Sequence, residues 1–261
     1  MKNIKFIPLF LIAFSLIISS CAVDDDDPVI PTGATITASL DKTGEIFVHD
    51  GNEINLGFVL SRPIGIPTLF SYTLNGVEES ILLNSGDQSV NLSIPSVVGE
   101  TSTVVLTEAS VLNNDAVTVG STNTTVTFIG VPAINPNALQ VLMLWSNMDQ
   151  NDLDLWITDD PVVNGIVASQ SVTPAEDVSF ANTNPDATYN ILPRVWSSAD
   201  SSVDVTMYLV HPNGTVEVFN DSVSGDVPLA FYYMIKFDKV TDMGTGDVTY
   251  VTTQVPAVSV F

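Results

Sequence analysis

Beyond Ala34, apolar positions recur every second residue. Ile54, Leu56, Phe58 and Leu60 fall on one face of an extended segment, with Asn55 and Gly57 on the other. Val203, Val205, Met207 and Leu209 repeat the pattern. Further on, Phe231, Tyr233, Ile235 and Phe237 are expected to face one way, with Tyr232, Met234 and Lys236 opposite. No stretch sustains the 3.6-residue period of a helix. Short runs of Val, Ile, Thr, Phe and Tyr, separated by Gly, Asn, Asp and Pro clusters, predict strands throughout. In the first half these lie near 35–40, 54–60, 68–74, 79–84, 89–94, 102–109 and 122–129. In the second half they lie near 139–145, 153–158, 188–197, 202–210, 215–220, 230–238 and 247–255. Asn75-Gly76 reads as a type I′ hairpin turn, and Pro212-Asn213-Gly214 as a second tight turn. Residues 159–187, rich in Pro, Asn, Asp and Ser, read as a long connection with room for one short strand.

Seven strands in residues 34–130 fit one immunoglobulin-like sandwich. Gly130 to Asn137 carries two prolines and no charge, so residues 131–137 are expected to be a short, stiff linker. Residues 138–261 then supply a second sandwich. The expected architecture is all-β: two tandem β-sandwiches, immunoglobulin-like or jelly-roll-like. Ahead of them, Lys2 and Lys5 precede an apolar run from Phe6 to Ile18, too short to span a membrane as a helix. That is the pattern of a secretory signal, here residues 1–20, followed by a tether over residues 21–33 that contains Asp24-Asp25-Asp26-Asp27.

The charge is one-sided, 7 Lys+Arg against 30 Asp+Glu for a net of -23. Such a surface has nothing to neutralise phosphates, which excludes a nucleic-acid partner. The acidity concentrates in the second half, so a cation site is expected there first. A single Cys excludes a disulfide scaffold and a Cys-based zinc site. Two histidines, His49 in an expected loop and His211 at a turn, leave little for His-based catalysis. No nucleophile elbow, P-loop, dinucleotide fingerprint or paired-His zinc motif is present.

Several segments resemble known families. Ile18-Ser19-Ser20-Cys21 resembles a bacterial lipobox, which implies cleavage before Cys21 and acylation of its thiol. The Asp24–Asp27 run just after it resembles the export tag of Bacteroidetes surface lipoproteins. Together these imply a lipid-anchored protein of the outer membrane facing the cell exterior. Ser61-Arg62-Pro63, Ser71-Tyr72-Thr73 and the stretch Ile81 to Val90 resemble a Calx-beta repeat. Leu144-Trp145, Asp152-Leu153-Asp154-Leu155-Trp156-Ile157, Thr173-Pro174-Ala175-Glu176-Asp177 and His211-Pro212-Asn213-Gly214 resemble secreted bacterial sandwiches related to pre-peptidase C-terminal domains. That resemblance implies an extracellular fold and no catalytic activity. Asp221-Ser222-Val223 fits the short O-glycosylation pattern of the same phylum, with Ser222 as acceptor.

Two constellations carry candidate chemistry. Asp149, Asp152 and Asp154, with Glu176 and Asp177 from the following connection, offer the carboxylates calcium requires. Their alternative role is a solvated acidic strand edge. Trp145, Trp156 and Trp196 are the three tryptophans. Trp145 is expected in the core. Trp156, and Trp196 with Arg194 on its face, are candidate ligand-binding residues. The expected function is a non-enzymatic surface lipoprotein that serves as a binding or structural module for a glycan or protein partner. Its alternatives are an accessory subunit of a nutrient-uptake or secretion complex and a hydrolase.

Overall fold

The β-branched and aromatic runs do form strands, because side chains alternating across a pleat bury one face and leave the other to water. The computed structural model describes residues 35–111 and 117–260. The expected signal segment, Cys21 and the expected acidic tether lie outside the described residues. The first half contains β1 (Ile36–Leu40), β2 (Gly44–His49), β3 (Glu53–Leu60), β4 (Thr68–Leu74), β5 (Val77–Leu83), β6 (Ser89–Pro95), β7 (Thr101–Val111), β8 (Val117–Val119) and β9 (Thr125–Val131). They form two sheets, in the orders β6-β3-β1-β8 and β2-β9-β7-β4-β5. The second half contains β10 (Ala138–Trp145), β11 (Asn151–Asp159), β12 (Gly165–Ser169), β13 (Glu176–Ala181), β14 (Thr188–Ser198), β15 (Ser202–Val210), β16 (Val216–Ser224), β17 (Ile235–Thr241) and β18 (Val248–Gln254). Its sheets are ordered β13-β10-β15-β16 and β12-β11-β14-β17-β18. The chain is all-β, two β-sandwiches in tandem, with no helix among the described residues.

Each sandwich closes over its own core. Ile36, Leu56, Phe58, Phe70, Val104 and Phe128 are among the buried residues of the first. Leu139, Val141, Leu155, Phe180, Val205 and Phe237 are among those of the second. Burying a side chain of this size is worth roughly 1.5–3 kcal/mol. Trp145 joins the second core as expected, its Nε1 donating to the Asn151 carbonyl at 2.8 Å.

Three expectations need correction. The segment around His49 is strand β2, not a loop. It pairs in parallel with β9, just as β1 pairs in parallel with β8. A hydrogen bond from Leu40 N to the Asn123 carbonyl spans the gap, so residues 36–49 run beside residues 117–131, crossing together from one sheet to the other. The connection 159–187 holds two strands, β12 and β13. The alternation of 231–237 breaks: Met234 and Ile235 are both buried. Residues 231–232 pair by isolated bridges, and the regular ladder begins only at Ile235, with the opposite phase.

The sandwiches meet through a third apolar cluster. Ile129 and Val131 of β9, with Phe47 and Val98, pack on Leu142, Tyr208 and Val210, which project from the outer face of the four-stranded sheet. Phe47 and Tyr208 meet edge to face at 5.8 Å. Gly99 is required here: at φ +80° it suits glycine, and a Cβ on it would come within 2.9 Å of the Ala175 Cβ. The first sandwich therefore covers one outer face of the second. The outer face of the five-stranded sheet is turned away.

Candidate functional face

On that uncovered face, the antiparallel register of β11 and β14 sets Asp154 directly opposite Arg194. Arg194 Nη1 donates to Asp154 Oδ2 at 3.2 Å. Burial pushes the Asp154 carboxyl above its ordinary range, and the adjacent guanidinium pulls the other way. The guanidinium carbon lies 4.9 Å from the centre of the Trp196 ring and 5.3 Å from that of Phe231, both within cation–π range. Phe231 in turn meets Trp156 edge to face at 5.6 Å. Trp156 lies over Gly165, where any Cβ would strike the indole at 2.9 Å. Its buried Nε1 has no acceptor, nor does Arg194 Nε.

The row Trp156–Phe231–Arg194–Trp196 thus assembles the three residues expected to bind a ligand and adds Phe231. Alternation along β11 and β14 already put Trp156 and Arg194 on outward positions. The contribution of Phe231 was not legible, because it enters through an isolated bridge to Arg194 outside any regular strand. The position of Trp196 follows from a bulge. Asp152 pairs with Ser197 and Leu153 with Val195, leaving Trp196 as the extra residue. Its ring is half exposed. Alongside it, Leu229 N donates to the Val195 carbonyl at 2.6 Å. Leu229 holds φ at 67°, a conformation uncommon for a bulky residue. Leu229 and Val227 are also half exposed.

The carboxylates proposed for calcium are not gathered. Among the described residues no group of three or more His, Cys, Asp or Glu is placed to hold a metal ion. Asp154 is taken by Arg194. Glu176 is fully buried, its Oε1 accepting from Ser171 N at 2.9 Å and from Ser171 Oγ at 2.6 Å. Asp177, the next residue on β13, points outward to solvent, and Asp149 lies exposed in the β10–β11 turn with Asp152 only partly covered. Strand alternation separates Glu176 from Asp177, which a count of acids in a loop does not reveal. Ser222 lies within edge strand β16, its Oγ donating to Asp204 Oδ1 at 2.6 Å. His49 Nδ1 lies 3.1 Å from the Pro132 carbonyl.

A second feature was not expected from the sequence. At the end of the second sandwich nearest the linker, a groove of about 670 Å³ runs between Asn137, the His211–Thr215 turn and the β17–β18 hairpin.

No protein-family model matches the chain, and no curated protein matches it in sequence. The solved structures similar in part include the two that follow. The human OSCAR ligand-binding domain shares 10% identity over 72% of this chain and 97% of its own, with a TM-score of 0.26. A structure described as giving insight into host cell surface retention of a 1.5-MDa bacterial ice-binding adhesin shares 11% identity over 85% of this chain and 96% of its own, with a TM-score of 0.21. Neither likeness is close enough to bear on function.

Proposed function

We propose that the protein is a non-enzymatic surface lipoprotein whose second sandwich binds a protein partner through the Trp196 face. The observation that carries this reading is the grouping of half-exposed Trp196, Val227 and Leu229 on the side turned away from the first sandwich. Soluble surfaces scatter single apolar side chains but seldom collect them. Trp and Arg are the residues most enriched at the energetic centres of protein interfaces. Arg194 is already neutralised by Asp154, so the row presents its aromatic faces rather than an unpaired charge. The signal-like segment, Cys21 and the acidic tether support an anchor in the outer membrane with both sandwiches outside the cell.

The test is cross-linked capture from intact cells, with the full mature protein as bait. A partner recovered by the wild type should fall at least tenfold with Trp196→Ala, as expected for a central interface residue worth about 2 kcal/mol or more. The melting temperature should fall by no more than a few degrees, the loss of one exposed cation–π contact. Equal recovery with the variant overturns the reading. Separately, Cys21→Ser should release the protein from membranes, and protease added to intact cells should cleave both sandwiches of the wild type.

A further inference from the structure

We infer that the groove beside the linker is a second binding site, shaped for an uncharged saccharide. Its volume of about 670 Å³ lies inside the usual range of small-molecule sites. Its lining includes the carboxylates Glu217 and Asp247 but no Lys or Arg. A phosphate, sulfate or carboxylate ligand would meet only repulsion there. A ligand rich in hydroxyls meets partners for both of their roles: carboxylate oxygens accept, and side-chain amides and the imidazole donate.

The walls are fixed in advance. Tyr250 OH donates to Asn182 Oδ1 at 2.5 Å, while Asn182 Nδ2 donates to the Pro136 carbonyl at 3.2 Å. Burial holds the Tyr250 phenol up at about 12, so it stays a neutral donor at any physiological pH. Thr252 Oγ1 donates to Glu217 Oε2. The Pro212-Asn213-Gly214 turn is locked by Asn213 Oδ1 accepting from Thr215 N at 2.9 Å. Among these fixed walls one atom stands out. His211 Nε2 is buried and makes no hydrogen bond, although Glu217 Oε2 lies 3.3 Å away. Buried polar atoms without partners are uncommon, and this one borders the groove, beside the carboxylate a sugar hydroxyl would use. Pro136, Pro212 and Val248 add apolar surface for the C–H faces of a pyranose. The groove and Trp196 lie at opposite ends of β14, whose first residue follows Asn182 by a short turn. This inference therefore does not rest on the proposed partner face.

The experiment is NMR titration of the full mature chain with neutral trisaccharides (maltotriose, cellotriose, mannotriose), a glucosamine trisaccharide and a galacturonate trisaccharide. At least one neutral sugar should shift the His211 and Tyr250 resonances in a saturable manner, and the galacturonate should not. His211→Ala and Glu217→Gln should each weaken that binding about tenfold. Thr249→Trp, which fills the groove from an exposed position, should abolish it, and Trp196→Ala should leave it unchanged. Three results overturn the proposal: no saturable shift with any neutral sugar, equal binding of the galacturonate, or binding that survives Thr249→Trp. Preferential binding of the glucosamine trisaccharide replaces the uncharged ligand with a cationic one and likewise overturns it.

Discussion

Lys239 has left water almost entirely, at 3% exposure, and its ammonium donates to Asp186 Oδ1 at 2.6 Å and to Thr241 Oγ1 at 3.0 Å. Asp186 also accepts from Thr241 N and Oγ1. These contacts hold its carboxyl down at about 2, against an ordinary 3.8. A carboxyl lowered by folding stabilises the fold above its unfolded value and loses that contribution as pH falls through the folded one. Acid titration of the melting temperature should therefore show a loss between about pH 4 and pH 2 that Asp186→Asn removes. At pH 7, Asp186→Asn should lower the melting temperature more than Lys239→Met does. The first strands a buried ammonium, while the second removes it. Neither residue was singled out from the sequence, because a Lys in an alternating strand reads as solvent-facing until its neighbours are known. Arg194 was legible, since an outward position on a regular strand depends on period alone, whereas the exposure of Trp196 comes with the bulge that the sequence does not announce.

Among the elements, those fixed by local chemistry were read correctly. Asn75 and Gly76 both adopt positive φ, 52° and 81°, as the type I′ turn between β4 and β5 demands. Gly76→Val should cost about 1–2 kcal/mol, the penalty of a left-handed conformation for a residue with a Cβ, read from the urea midpoint of the full chain. Elements whose pairing is distant were not legible. β2 and β8 are short and pair in parallel with strands far along the chain, so no turn residue announces them. The phase of β17 itself, with Ile235 and Phe237 inward and Lys236 between them, follows from alternation, whereas the irregular 231–234 segment ahead of it, with Tyr232 and Met234 inward, does not. For calcium, prior partners decide. Asp154 and Glu176 belong to strands of different sheets, and each has its own partner. Calcium and magnesium at equal concentration should shift the melting temperature alike, through screening alone. A calcium-specific rise that Asp154→Asn abolishes would contradict this.

At the scale of the molecule, the close approach of Gly99 to Ala175 is one constraint on how the sandwiches sit, beside the apolar cluster of Leu142 and Tyr208. Gly99→Val should force Ala175 away from the first sandwich. Hydrogen exchange should then quicken at Leu142 and Tyr208 and stay slow at Phe58 and Phe180, which lie deep in separate cores. The pairing of residues 36–49 with 117–131 has a mechanical consequence. If Cys21 anchors the chain, a tug on a captured partner enters the first sandwich at Val131 and leaves it at Ile36. These residues lie at opposite ends of two chain segments, 36–49 and 117–131, that run the same way side by side, β1 along β8 and then β2 along β9. Tension on such a pair slides one strand along the other, so the hydrogen bonds between them are strained together rather than peeled in succession. The first sandwich is thus loaded in shear, and in a force-extension experiment it should yield at a higher force when pulled from Ile36 and Val131 than when β4 and β5 are pulled apart from their open ends at Thr68 and Leu83.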